Sequence, residues 1–168
     1  MEKITVREIM KFGPCDRYNV FTVFKLIKFG KTPLEILDLD LPRNDKFWLL
    51  LRPKYISEKR LHLLACDFAQ EVAYLNSDPR VQAAIDAKRL WIDGKITDEE
   101  LKKARDAAYA ARADAAAAWA ADAAADAVAA AWAADAAWAA TADADIETKQ
   151  IEMVRKVFIE HSHGGESC

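Results

Sequence analysis

The stretch AWAADAAADAVAAAWAADAAW, residues 118–138, decides the fold class of this chain. Fourteen of its residues are alanine, and the others are three tryptophans, three aspartates and one valine. Alanine has the highest intrinsic helix propensity, and its small side chain lets two helix backbones approach closely. The stretch therefore predicts tightly packed α-helices, with each tryptophan inserted between them as a large apolar side chain.

Helix signals continue on the N-terminal side of this stretch, whereas the alternation typical of strands is nearly missing. A threonine followed three residues later by a glutamate forms a capping box, and Thr or Asp before proline also starts helices. We therefore predict an all-α fold, a compact helical bundle with closely packed Ala-rich helices. The predicted helix starts are Thr5 with Glu8, Thr32 with Pro33, Asp78 with Pro79, and Thr97 with Glu100.

Two segments in the N-terminal third have apolar runs of different kinds. The run KFWLLLR, residues 46–52, suits a strand by composition, but helical signals flank it and we predict a helix. Before it, apolar side chains wrap one broad face of a helix that ends near Gly30. These side chains are Val20, Phe21, Val23, Phe24, Ile27 and Phe29.

The length of 168 residues is most simply accommodated in one compact unit with internal modules. We predict a small N-terminal helical module at residues 1–56 and an Ala-rich helical bundle at residues 57–160. Residues 161–168, HSHGGESC, are predicted to form a flexible tail.

The charge of the chain is small overall but uneven along its length. The net charge is −3, with 19 Lys and Arg against 16 Asp and Glu in residues 1–103, and two Arg against seven Asp in residues 104–145. Because a dense basic stripe is missing, direct nucleic-acid binding is not expected. The three cysteines have no paired spacing, the N-terminus has no signal-peptide pattern, and aspartates interrupt the Ala-rich stretch. We therefore expect a cytoplasmic protein that does not enter a membrane.

The acidic, tryptophan-containing arm is the predicted partner-binding site. Its carboxylates would steer a partner electrostatically, and its tryptophans would supply apolar contact area. Taken alone, aspartates in this pattern more often belong to an ordinary solvated helix surface, and that interpretation stays open. The predicted binding residues are Asp114, Asp122, Asp126, Asp135, Trp119, Trp132 and Trp138.

Two groups of side chains carry atoms that are used in catalysis or metal binding. His62 and Cys66 lie four residues apart next to Asp67, so a thiol–imidazole pair is possible on one helix face. However, a histidine within the apolar run LHLLAC, beside a buried thiol, far more commonly has a structural role. The second group is His161, His163 and Cys168 in the glycine-rich tail. Neither group contains the full set of side chains that a catalytic site or a metal site requires. We therefore predict no catalytic residue, no metal site and no cofactor.

The segment DPRVQAAIDAKRLWIDGKITDEELKKARDAAYAARADAAAA, residues 78–118, resembles the Imm5-like immunity-protein helical domain of bacterial and phage genomes. The family pattern is a helix that ends near a tryptophan, then x-G-x-I-T-x-E-E-L-x-x-A-R, then Ala-rich helices. The resemblance covers roughly residues 57–160. The matching positions are Trp91, Gly94, Ile96, Thr97, Glu99, Glu100, Leu101, Ala104 and Arg105.

A second resemblance lies near the N-terminus. GPCDRYNVFTVFKLIKFG, residues 13–30, is similar to a small module of phage proteins in which a cysteine follows a turn and a helix ends in Phe-Gly. The corresponding residues here are Cys15, Phe29 and Gly30.

Together with the acidic arm, these resemblances imply a non-enzymatic binding protein that neutralises a partner. It would act as an immunity protein or as a phage-encoded counter-defence protein of the anti-CRISPR type. The partner would be a bacterial toxin or a defence-system protein in the cytoplasm of the host cell. Two alternatives stay open: a helical protein that sequesters a nucleotide signal, and a structural module that forms homodimers through exposed tryptophans.

Overall fold

The computed structural model describes residues 1–75, 78–110 and 144–163, and within these ranges the chain is all-α, as predicted. Two 3₁₀ turns, Asp16–Tyr18 and Ala73–Leu75, accompany the α-helices. One antiparallel bridge, between Ile4 and Lys31, supplies extended pairing in this part of the chain. The helices are α1 (Val6–Lys11), α2 (Val20–Ile27), α3 (Pro33–Leu37), α4 (Arg43–Leu50), α5 (Glu58–Gln70), α6 (Pro79–Ile92), α7 (Asp98–Ala110) and α8 (Ala144–His163).

The helix starts agree with the capping residues that the sequence predicts. The backbone N–H of Thr5 donates to Glu8 Oε2 at 2.9 Å, and that of Thr97 donates to Glu100 Oε2 at 2.8 Å. Thr32 forms the same kind of capping box before α3, and Asp78 caps α6. The run at residues 46–52 is helical through Leu50, so the helical interpretation of this run is confirmed.

The chain divides into two compact units, and α8 contributes residues to both. The first unit comprises Met1–Leu50 and Arg155–Cys168, and the second comprises Leu51–Val154. The sequence predicts residues 57–160 as one module, whereas the residues from Arg155 onward group with the N-terminal helices. Helix α8 extends to His163, so residues 161–163 of the predicted tail are helical.

The core of the first unit combines side chains from both ends of the chain. Phe158 of α8 is 1% exposed, and Arg155 donates to Asp38 at 2.7 Å. Lys46 is buried, and its Nζ donates to the carbonyl oxygen of Leu37 at 2.9 Å. The other buried apolar residues of this unit include Ile4, Ile9, Val23, Ile27, Ile36, Leu37, Phe47, Leu49 and Leu50.

In the second unit, α6 packs against both α5 and α7. Ala84 of α6 and Ala108 of α7 have no exposed surface. Both side chains are single methyl groups, a size that lets neighbouring backbones approach closely. Residues 111–143, which contain the stretch that predicts the Ala-rich bundle, lie outside the described residues. The larger buried residues of this unit include Leu64, Phe68, Val72, Val81, Ile85, Leu101, Ile146 and Val154.

Candidate functional site

The predicted partner-binding residues lie outside the part of the chain that the structure describes. All of them fall within residues 111–143: Asp114, Asp122, Asp126, Asp135, Trp119, Trp132 and Trp138. Their role therefore stays a prediction.

The thiol–imidazole pair lies in the core of the second unit. Cys66 has no exposed surface, and His62 is 8% exposed. Burial raises the pKa of the Cys66 thiol from 9.0 to about 11, although the charges of Arg89 and Lys88 act in the opposite direction. Burial also lowers the pKa of His62, and the charge of Lys88 lowers it further. An enclosed, protonated thiol is a poor nucleophile, so this pair fits the structural role better than the catalytic one.

Trp91, one of the residues that carry the Imm5-like resemblance, contacts side chains from three helices of the second unit. The Lys88 ammonium lies 3.9 Å from the centroid of its ring, and the His62 ring centroid lies 5.4 Å away at a steep angle. Trp91 Nε1 donates to Asp98 Oδ1 at 2.6 Å. Lys88 is only 1% exposed, so this cation–π contact is shielded from water. A desolvated cation–π contact contributes about 2 kcal/mol. These contacts hold α5, α6 and the start of α7 together.

The tail residues that could ligate a metal are not gathered into a site by the described structure. His161 is exposed on α8, whereas the side chain of His163 and all of Cys168 lie outside the described residues. Within the described ranges, no three His, Cys, Asp or Glu side chains are arranged to hold a metal ion. None of the described helices combines the length and the apolar character that crossing a bilayer requires.

A cluster of exposed apolar side chains lies on α2 and on the turn that follows it. The exposed fractions are 58% for Val20, 66% for Phe21, 47% for Phe24 and 90% for Phe29. Val20, Phe21 and Phe24 lie on one side of α2, because positions three and four residues apart are neighbours on a helix. The rings of Phe24 and Phe29 meet nearly at right angles with centroids 6.4 Å apart. We call these four residues the α2 aromatic surface.

The opposite side of α2 faces the core of the first unit. Val23 and Ile27 are 3% and 4% exposed. Asn19 caps the start of the helix: its side-chain oxygen accepts hydrogen bonds from the backbone N–H groups of Phe21 and Thr22 at 3.1 and 3.0 Å. The broad apolar face seen in the sequence is therefore divided into a buried side and an exposed side. No binding role is predicted for the exposed side from the sequence. The width of the apolar face could have indicated one, because a single packing contact buries only part of such a face.

The turn after α2 holds Phe29 outside the core. The Gly30 N–H donates to the carbonyl oxygen of Ile27 at 2.9 Å, which closes a four-residue turn. Lys28, its second residue, has φ 47° and ψ −108°, close to the first central position of a type II′ turn. Lys31 then pairs with Ile4 through backbone hydrogen bonds of 2.8 and 3.2 Å. A Cβ on Gly30, whose φ is +106°, would lie 3.1 Å from the Ile4 carbonyl oxygen, so glycine suits this close approach.

Lysines flank the α2 aromatic surface. Residues 20–31 contain three lysines and no acidic residue. The Lys25 Nζ lies 4.4 Å from the centroid of the Phe21 ring. The carboxylate of Glu35 interacts with the charge of Lys31, and its pKa is lowered mainly by the hydrogen bond from the Thr32 backbone. The exposed side of α2 is thus apolar in its centre and basic at its edge, a composition that suits an apolar and acidic ligand.

Comparison of the chain with protein-family models, with curated proteins and with solved structures gave no match. The resemblances to the Imm5-like domain and to the phage module therefore stay predictions that rest on the motifs quoted above.

Proposed function

We propose that this chain is a non-enzymatic protein that binds and neutralises a partner protein, and that it binds through the α2 aromatic surface. The observation that supports the proposal is the exposure of Phe21, Phe24 and Phe29 as one cluster on a single short segment. Aromatic residues are enriched in protein interfaces and among the residues that dominate their binding free energy. Contiguous exposed apolar side chains are typical of binding sites, whereas single scattered ones are not.

The stability of the isolated chain does not account for these phenylalanines. Burying a fully exposed phenylalanine side chain contributes about 1.5–3 kcal/mol. Phe29 is 90% exposed, so almost none of that free energy is gained in the first unit itself. A partner that covers the surface gains it instead, and this is the physical reason for assigning the surface to binding.

The surface is also ordered before any partner arrives. Phe24 and Phe29 contact each other, Lys25 lies over Phe21, and the backbone on both sides of the segment is hydrogen-bonded. Side chains that already hold their binding geometry lose less conformational entropy on association. This supports a binding role with specificity for a shaped surface.

The class of partner follows from the family resemblance. An immunity protein or a phage counter-defence protein would meet a bacterial toxin or a defence-system protein in the cytoplasm of the host. The acidic arm with Asp114, Asp122, Asp126 and Asp135 stays a second predicted surface for the same partner. The α2 aromatic surface is the part of this proposal that rests on geometry.

The experiment compares capture by the wild-type chain with capture by the double variant Phe24→Ser with Phe29→Ser. The immobilised whole chain is incubated with a bacterial lysate at near-physiological salt, and the retained protein is identified and purified. Tyr74→Ser is the matched control, because Tyr74 is 72% exposed but belongs to the second unit. We expect wild type and control to retain one dominant protein, to bind it in purified form and to inhibit its activity.

The double variant should lose both binding and inhibition while its circular dichroism stays helical. Equal retention by the double variant would remove the α2 aromatic surface from the proposal. Retention of no dominant protein by the wild-type chain would contradict the binding function itself.

A further inference from the structure

Building on the proposed function, we infer that the α2 aromatic surface binds an apolar pocket bordered by carboxylates on a different protein, and not a second copy of this chain. The proposal concerns the chemistry of the partner, which the exposed phenylalanines alone do not define. It rests on the charges of Lys25 and Lys28, on the unusual backbone conformation of Lys28, and on the symmetry of homodimers.

The edge of the α2 aromatic surface carries positive charge. Lys25 and Lys28 are exposed, and along the chain Lys25 follows Phe24 and Lys28 precedes Phe29. Among the described residues, no ion pair joins either lysine to a carboxylate. Charges around an apolar contact select partners and raise association rates when the opposing surface has the complementary sign. Here the complementary surface is acidic.

The backbone conformation of Lys28 also points to a role for its side chain. Its φ of 47° lies in the region that L residues rarely adopt, and the first central position of a type II′ turn favours glycine. The chain nevertheless has a lysine at this position. Strained residues cluster at functional sites, where the side chain has a role that glycine does not fill. An ammonium group next to Phe29 that meets a carboxylate of the partner gives Lys28 such a role.

The charge of the surface also disfavours self-association. Homodimers are most commonly two-fold symmetric, so the same patch of each copy meets its counterpart. Such a contact joins two copies of the same basic segment, and residues 20–31 contain three lysines but no carboxylate that could pair with them. Like charges that face each other across an interface oppose binding. The surface therefore suits a partner that differs from this chain.

A membrane surface fits the same residues less well. Anionic headgroups would attract Lys25 and Lys28 just as the carboxylates of a protein would, so the two partners differ in the apolar part of the contact. Because the Lys25 ammonium lies over the Phe21 ring, that ring does not enter acyl chains unless the charge first leaves it. A protein pocket bordered by carboxylates accommodates the ring and the charge together.

The test uses a random peptide library displayed on phage, selected against the immobilised whole chain, so that it does not depend on knowing the natural partner. We expect enriched peptides that combine apolar residues with Asp or Glu. Synthesised peptides should bind wild type and Tyr74→Ser equally, and should bind Phe29→Ala about 30-fold more weakly. The variant Lys25→Glu with Lys28→Glu should lower affinity at least about 10-fold, whereas Lys25→Arg with Lys28→Arg should retain it. Raising NaCl from about 0.05 M to about 0.5 M should weaken binding as the charges are screened.

Other results overturn the inference in distinguishable ways. One such result is that the selected peptides require the phenylalanines for binding but contain no acidic residues. Another is that they bind the charge-reversed variant as tightly as wild type. Either result would contradict the acidic partner but not the binding function. If sedimentation shows that wild type is a dimer and that Phe29→Ser is a monomer, the surface binds a second copy of this chain and not an acidic partner. If the chain binds phosphatidylserine vesicles but not phosphatidylcholine vesicles, and Phe29→Ser abolishes that binding, the surface binds a bilayer. Selected peptides that bind the Phe24→Ser with Phe29→Ser variant unchanged contradict both proposals.

Discussion

At the scale of single residues, Lys28 is where backbone preference and side chain disagree most clearly. Its φ of 47° and ψ of −108° are ordinary for glycine and unfavourable for lysine. A strained conformation of this kind persists when the surrounding structure determines it. Here the hydrogen bond from Gly30 to Ile27 and the bridge between Ile4 and Lys31 fix the segment on both sides. The strain is therefore local, and a single substitution tests it.

Replacing Lys28 with glycine should stabilise the folded chain. Relief of a strained φ contributes about 1–3 kcal/mol, and the larger entropy of glycine in the unfolded chain offsets about 0.5–1 kcal/mol of it. Urea unfolding of Lys28→Gly should thus give a free energy of unfolding about 1 kcal/mol above wild type. Lys28→Ala, which removes the side chain and keeps the strain, should show no such gain. Equal stability of the two variants would contradict the strained turn.

The buried thiol of Cys66 makes a separate prediction about pH. Burial raises its pKa from 9.0 to about 11, so the folded state keeps a proton that the unfolded state releases. The stability that depends on this group is fully present below pH 9 and is lost as the pH rises toward 11. The loss amounts to about 2–3 kcal/mol, because one pKa unit corresponds to about 1.4 kcal/mol.

Urea unfolding of wild type and Cys66→Ala measures this effect at about pH 8 and about pH 10.5. The difference in unfolding free energy between the two proteins should shrink at the higher pH, since other titrating groups are common to both. An unchanged difference would mean that the thiol is not enclosed as the structure shows.

At the scale of elements, the sequence predicts helix starts well and helix environments poorly. Thr5, Thr32, Asp78 and Thr97 act on backbone groups within a few residues, so local sequence contains the needed information. The exposure of the α2 aromatic surface depends on which neighbours pack against the helix. A pattern of apolar residues shows that a face is wide, but it does not show which half of that face the fold covers.

The pairing of α6 with α7 tests why the chain uses alanine. Ala108 has no exposed surface, whereas Ala110, two residues later on α7, is exposed. Ala108→Leu should lower the free energy of unfolding by about 1–3 kcal/mol, because extra methylene groups do not fit a closely packed contact. Ala110→Leu should change it little, since both residues are good helix formers. Chemical denaturation measures both variants, and equal effects would show that alanine serves helix propensity alone.

At the scale of the whole molecule, the first unit is assembled from both ends of the chain. The hydrogen bond between Arg155 and Asp38 joins residues that are 117 positions apart. The sequence analysis placed these residues in different modules because periodicity and capping describe local order only. Contacts over such a distance leave no trace in one sequence. The core of the unit that presents the α2 aromatic surface is therefore completed by the last helix.

Phe158 makes this dependence measurable. It is 1% exposed in the first unit, whereas the next residue, Ile159, is 40% exposed. Phe158→Ala should lower the stability of that unit by about 3–5 kcal/mol, because it removes a large buried side chain and leaves a cavity. Hydrogen exchange should accordingly accelerate for the backbone amides of α2, although α2 precedes the substitution by more than a hundred residues. Ile159→Ala, the matched control, should leave exchange in α2 nearly unchanged. Equal exchange in the two variants would show that the N-terminal helices fold without α8, and would contradict their assignment to one compact unit.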